Sequence, residues 1–267
     1  MTSTLLRRAG APVLLAAATA TVLAGCGGVG ARLTFNDTVE AKVTEIVMSG
    51  GSGDVTVKTA AIDETRISRI IHRNSDPGET YVLDGTVLTI NTDCGSDCWV
   101  SYVIEAPTGV AVRGELGSGD IDLTGVGSAD VNVSSGDIQI KDATGAVKAR
   151  ASSGDIDVLR PRGTTTMRAT SGNVRVVDAS GPVTATATSG DVDVIMAVAR
   201  SVTAEASSGN VDLVIPAGSY RVVTDTGSGD AEIRGIVNDP AAAVVLDLHA
   251  GSGDVTVTSA SSPDRPR

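Results

Sequence analysis

A Ser-Gly-Asp or Ser-Gly-Asn triplet occurs nine times in this chain, ending at Asp54, Asp120, Asp137, Asp155, Asn173, Asp191, Asn210, Asp230 and Asp254. From Asp120 to Asp230 the steps are 17, 18, 18, 18, 19 and 20 residues, so one unit of nearly fixed length is reused with small insertions. After each triplet come apolar residues at alternate positions, as in Ile138 and Ile140, Ile156 and Val158, Val174 and Val176, Val192 and Val194, and Val211 and Leu213. Period two marks a half-buried strand. A second alternating stretch precedes each triplet, and its like-facing members are small: Val147, Ala149, Ala151 and Ser153, or Val183, Ala185, Ala187 and Ser189. The interior they line must be narrow.

Two strands and two turns in about 18 residues leave no space for an ordinary helix of about 10 residues. The fold class is therefore all-β: a parallel β-solenoid of about 18 residues per coil, with an irregular strand and hairpin insertion near its N-terminal end. Successive coils would stack about 4.8 Å apart and hydrogen-bond in parallel. The triplet reads as a corner, because Gly permits positive φ while Asp, Asn and Ser bond nearby backbone groups. A second corner falls at Gly127, Gly145, Gly163 and Gly181, with Arg200 replacing Gly in the next coil. Aromatic residues are only 2% of the chain, which suits a flattened coil and not a thick core.

Regular spacing lapses between Asp54 and Asp120. Alternation persists there in Thr65 to Ile71 and in Tyr81 to Ile90, where Asp84-Gly85 between apolar runs signals a hairpin. Tyr81, Trp99 and Tyr102 fall in the same segment, which is expected to be thicker and to cap the array. The organisation expected is a signal at 1–25, a lipidated N-terminus and flexible tether at 26–42, a solenoid at 43–258 (irregular at 58–115, regular at 116–258) and a disordered tail at 259–267.

Arg7 and Arg8 precede an apolar stretch from Ala11 to Leu23 that is too short to span a membrane, and it ends in Leu23-Ala24-Gly25-Cys26. This ending resembles the lipobox of bacterial lipoproteins, in which the cysteine sulfur receives a diacylglycerol and the chain is cut just before it. The resemblance makes Cys26 the lipidation site and places the body outside the cytoplasm, held to the membrane through its N-terminal lipid. The formal charge of the whole chain is −11 and becomes −13 once Arg7 and Arg8 leave with the signal. An acidic body repels phosphate backbones, so no nucleic-acid partner is expected.

Cys94 and Cys98 flank a turn-like Gly95-Ser96-Asp97, and in an exported protein they are expected to form a local disulfide. A zinc site would need two further ligands, and His72 and His249 stand without metal-ligand spacing. A redox site more often shows two intervening residues than three.

The triplet Asp and Asn column is the only repeated polar feature able to make a site. Turn capping is the favoured reading, and a calcium-binding column is the alternative, weakened because Asn173 and Asn210 interrupt the charge. Asp122, Asp157, Asp193 and Asp212, two positions beyond the triplets, read as a solvated outer face. Neither a nucleophile elbow nor a metalloprotease or phosphate-loop motif occurs, so no catalytic residue or cofactor is assigned. A cell-wall polysaccharide-acting β-helix enzyme is the other alternative.

The runs Ser153-Gly154-Asp155-Ile156-Asp157-Val158 and Ser189-Gly190-Asp191-Val192-Asp193-Val194 resemble the strand repeats of a bacterial family of unknown function labelled "putative adhesin". The segment from Cys94 through Cys98-Trp99 to Pro107 is similar to lipoprotein members of that family, and the resemblance covers about residues 43–258. It implies a surface-exposed, non-enzymatic solenoid whose rigid array faces an envelope protein or glycan. Open ends of such an array can also pair edge to edge with one another.

Overall fold

The computed structural model describes residues 32–72 and 76–260. The expected signal, Cys26 and most of the expected tail lie outside them. Twenty-four strands form two sheets of twelve, and no helix occurs among the described residues. In the triplet coils, strands that follow a triplet lie in the first sheet and those that precede one lie in the second.

Within the repeats every neighbouring pair is parallel, and the pairs are in register apart from a shift after Val176: Ile138 lies beside Ile156, Ile156 beside Val174, and Val174 beside Val192. In the second sheet Ala149 lies beside Met167, and Met167 beside Ala185. These ladders face each other and are fully buried, so the core is a continuous column of Val, Ile and Ala that no single coil could hide. The small inner residues extend only to Ala151 and Ala187. Ser153 and Ser189, expected on the same face, are exposed, because the register passes over residues 152 and 188 just before the corner.

Stacking order departs from chain order at both ends. The first coil, residues 45–60, lies between the coils of residues 87–107 and 111–124. At the other end, the last coil, residues 245–259, lies between residues 202–215 and residues 219–234. The first and last coils are thus each clamped between two coils that are themselves adjacent in sequence.

Three expected boundaries move as a result. The irregular segment expected at 58–115 contains a full coil, residues 87–107, whose corner is the Cys94–Cys98 loop instead of a triplet. Part of the segment expected as a tether at 26–42 is instead strand, since Arg32–Val39 pairs antiparallel with Thr65–His72, which is antiparallel in turn to Trp99–Pro107. Residue 259, expected to open the tail, is instead the last residue of the strand Val255–Ser259.

These antiparallel strands and the 81–91 hairpin fill the N-terminal end of the stack. Arg69, buried there, lies 5.3 Å from the ring centroids of both Phe35 and Tyr81 and 3.2 Å from Asp37. Burial pushes the Tyr81 hydroxyl up to about 12, with the nearby Asp37 adding to the effect. Tyr102 is also buried, and its hydroxyl donates to the Thr80 carbonyl at 2.6 Å.

Candidate binding faces

The triplet residues form one line along an edge of the stack. The backbone N–H of each donates to Oδ1 of the triplet residue one coil away: Asp120 to Asp54, Asp137 to Asp120, Asp155 to Asp137 and Asn173 to Asp155, over 2.7–3.1 Å. The line continues Asp191 to Asn173, Asn210 to Asp191, Asp254 to Asn210 and Asp230 to Asp254, over 2.7–3.0 Å. Asp54 itself donates to Ser101 Oγ at 3.1 Å, where the disulfide coil has no triplet.

Stacked carboxylates about 4.8 Å apart repel unless a donor compensates, and each of these except Asp230, at the open end of the line, accepts one. Asn173 and Asn210 supply the same acceptor without the charge, and so divide the column into shorter anionic runs. From Asp54 through Asn210, and at Asp254, one side-chain oxygen of each is thus an acceptor within the stack. Among the described residues, no three His, Cys, Asp or Glu side chains converge in a way that could hold a metal ion. Capping here joins coils to one another, a longer-range duty than the local turn bond expected from sequence.

The second corner is built partly by residues that the glycine spacing did not reveal. Asp142, Arg160 and Asp178 adopt left-handed φ of 57°, 51° and 58°, in the same phase as Gly125 at 74°. Arg160 donates to both carboxylate oxygens of Asp142, at 2.7 and 2.8 Å, and holds its pKa below the ordinary carboxylate value. The predicted Gly127, Gly145, Gly163 and Gly181 follow, each too close to the backbone of the preceding coil to carry a side chain.

The outer faces of the two sheets differ in charge. On the first sheet a register column runs Asp122, Gln139, Asp157, Arg175, Asp193, Asp212, Thr256 and Glu232, beside the triplet line. On the central strands of the second, Asp130, Lys148, Thr166 and Thr184 make one column, and Asn132, Arg150, Arg168 and Thr186 another. Lys148, Arg150 and Arg168 cluster on this face, Lys148 and Arg150 lying 3.8 and 3.4 Å from Asp130, so the three leave a net positive centre on a body that is acidic in total.

The first-sheet column corrects the reading of a solvated face. Asp157, Asp193 and Asp212 are half-buried, since in-register stacking packs each side chain between its neighbours above and below. Burial raises the pKa of all three. The adjoining Asp212 adds to the rise at Asp193, while Thr256 opposes it at Asp212. Asp122 Oδ1 is buried and accepts no hydrogen bond among the described residues.

An acid whose folded pKa exceeds its unfolded value, near 3.9, destabilises the fold when ionised. That cost is fully present above the folded pKa and vanishes as pH falls to the unfolded value. Asp193→Asn is therefore expected to raise Tm by about 2 °C at pH 7 and by nothing below about pH 3.5. Thermal melts across that range check it, and an equal gain at both ends of the range would contradict the argument.

Cys94 and Cys98 are disulfide-bonded, with Cα atoms 5.2 Å apart. His72 stacks on the partly exposed Trp99 ring at 4.8 Å between centroids, and burial lowers its pKa. His249 lies at the far end of the second sheet, 2.8 Å from Asp247. The two histidines share no site.

Comparison with solved structures finds a "putative cell adhesion protein" from Clostridium sporogenes ATCC 15579, 14% identical, covering 84% of this chain and 98% of that one at a TM-score of 0.33. A "putative adhesin" from Bacteroides fragilis NCTC 9343 is 11% identical, covering 85% and 96% at a TM-score of 0.46. One from Parabacteroides distasonis ATCC 8503 is 16% identical, covering 85% and 97% at a TM-score of 0.40. No curated protein matches. The family model described as Toastrack DUF4097 matches residues 31–169 and 163–258, nearly the whole described stack, and this chain belongs to that family.

Proposed function

We propose that this chain is a non-enzymatic extracytoplasmic lipoprotein, an adhesin-like scaffold anchored through acyl chains on Cys26. Its rigid solenoid presents a face to an envelope protein or glycan. The observation that carries this reading is the position of Arg32, which opens the edge strand at one end of the stack, only six residues beyond a lipobox-like cysteine.

Fully extended, that link spans about 20 Å. The aromatic-rich end is therefore held near the membrane, and the coil of residues 219–234 stands away from it. Two acyl chains on one residue anchor stably where a single chain binds reversibly. The polar groups form ladders along edges and faces instead of converging on one point, which suits repeated contacts along an extended partner more than chemistry at a single bond. The cationic centre at Lys148, Arg150 and Arg168, flanked by Thr166, Thr184 and Thr186, is the face best furnished with donors for an anionic or hydroxyl-rich partner.

Labelling of cells with an alkyne fatty acid, followed by fractionation, tests the anchor. The wild-type chain is expected to be labelled and in the membrane fraction, whereas Cys26→Ala loses the label and most of its membrane association. Crosslinking on intact cells should give a protein or glycan adduct with the anchored chain. A Cys26→Ala chain that stays labelled and membrane-bound would overturn the proposal.

A further inference from the structure

The coil farthest from the N-terminal cap is left open. Ile233 occupies the inner ladder position next to Val257 and Leu213, yet it is 38% exposed where they are 0% and 1%. Ala231, beside the buried Val255, is exposed as well. In the second sheet the outer edge is partly covered, because Val237 N–H donates to the Gly218 carbonyl and Asp239 N–H to the Tyr220 carbonyl. In the first sheet Ala231–Arg234 ends the strand order, and no described strand pairs with its outer edge. Interior side chains and unpaired backbone groups thus meet at one short strand, which is how an interface for another strand is built.

We propose that this strand pairs antiparallel with the same strand of a second copy, about a two-fold axis at Ile233. A two-fold axis normal to the sheet reverses strand direction and keeps the inner faces of both copies on one side, so a symmetric pair of open ends that continues the sheet is antiparallel. With Ile233 opposite itself, Glu232 faces Arg234 of the second copy and Arg234 faces its Glu232, while the two Ile233 side chains meet on the inner side. The strand is self-complementary in charge as well as shape, since Glu232 and Arg234 already form an ion pair within one copy. That matters because two bodies of formal charge −11 repel each other elsewhere. At the opposite end Arg32–Val39 is also an edge strand, but among the described residues the interior there is filled by Arg69, Phe35, Tyr81 and Tyr102. The pairing rests on this geometry and is independent of the anchor.

Ile233→Cys in the full chain tests the proposal, with mild oxidation and non-reducing electrophoresis as the readout. A disulfide-linked dimer is expected, and Val82→Cys, at a more exposed site on the capped end, is expected to give none. Adding Glu232→Arg to Ile233→Cys should lower dimer yield roughly fivefold by opposing like charges, and Glu232→Arg with Arg234→Glu should restore it. Circular dichroism confirms that each variant retains its strands. No dimer from Ile233→Cys, or equal dimer from Val82→Cys, overturns the pairing. Failure of the double reversal to restore it overturns the register. A dimer that forms only after removal of residues 261–267 also overturns the proposal, with the chain's own C-terminal segment as the occupant.

Discussion

Gly172→Val is expected to destabilise the protein by at least about 3 kcal/mol and to leave little folded chain at 37 °C. Gly172 sits at a triplet corner with φ of 137°, a conformation that β-branched residues do not adopt without strain. Space is as decisive as conformation. A Cβ there would lie 2.1 Å from the Gly154 carbonyl oxygen and 2.6 Å from its carbon, both backbone atoms of the coil before. Relief would require parting the two coils, and with them the Asn173 N–H bond to Asp155. Gly85→Ala is the informative control. Its φ is 61° and nothing lies within 4 Å of the added methyl, so it should cost only about 1 kcal/mol. Denaturant midpoints for both variants check the contrast, and equal losses would show that conformation alone, and not coil-to-coil approach, sets the penalty.

Removing residues 245–267 is expected to disorder residues 219–234 as well, although those precede the cut. Their strands pair with the last coil, through Val222 beside Leu246 and Ala231 beside Val255, and have no direct ladder to residues 202–215. The lost coil buries Leu246, Leu248, Val255 and Val257, each worth on the order of 1.5–3 kcal/mol when fully buried. The gap it leaves separates the preceding coil from its support. Limited proteolysis should therefore cut the truncated chain between about residues 216 and 235, at sites that stay intact in the full chain. Resistance throughout that segment would mean that it can close the gap and stack directly on residues 202–215.

Much of this architecture is written in the spacing of the triplets. Period, corner and parallel register follow from Asp120 through Asn210 because each coil repeats both the polar corner and the alternating strand. Stacking order at the ends is less visible, since the triplets at Asp230 and Asp254 are locally alike and either could lie next to Asn210. The only hint is length: residues 235–244 are more than a tight corner needs and provide the chain to cross over a coil. Arg32–Val39 escapes notice because Leu33 and Phe35 are its only large apolar residues before a polar run. The half-buried aspartates mislead for a different reason. Alternation separates inward from outward positions, but it does not reveal that outward side chains in an in-register stack are desolvated by one another.

The exchanged order at the C-terminal end gives the rod a mechanical asymmetry. Tension applied at Arg32 acts on an edge strand with a single partner and peels it from Thr65–His72. Tension applied at the other terminus must draw residues 245–259 out from between two neighbours, loading both ladders at once. A load pulling on the two termini would therefore unravel this molecule from its capped end, while the coil beside the open end acts as a wedge that holds.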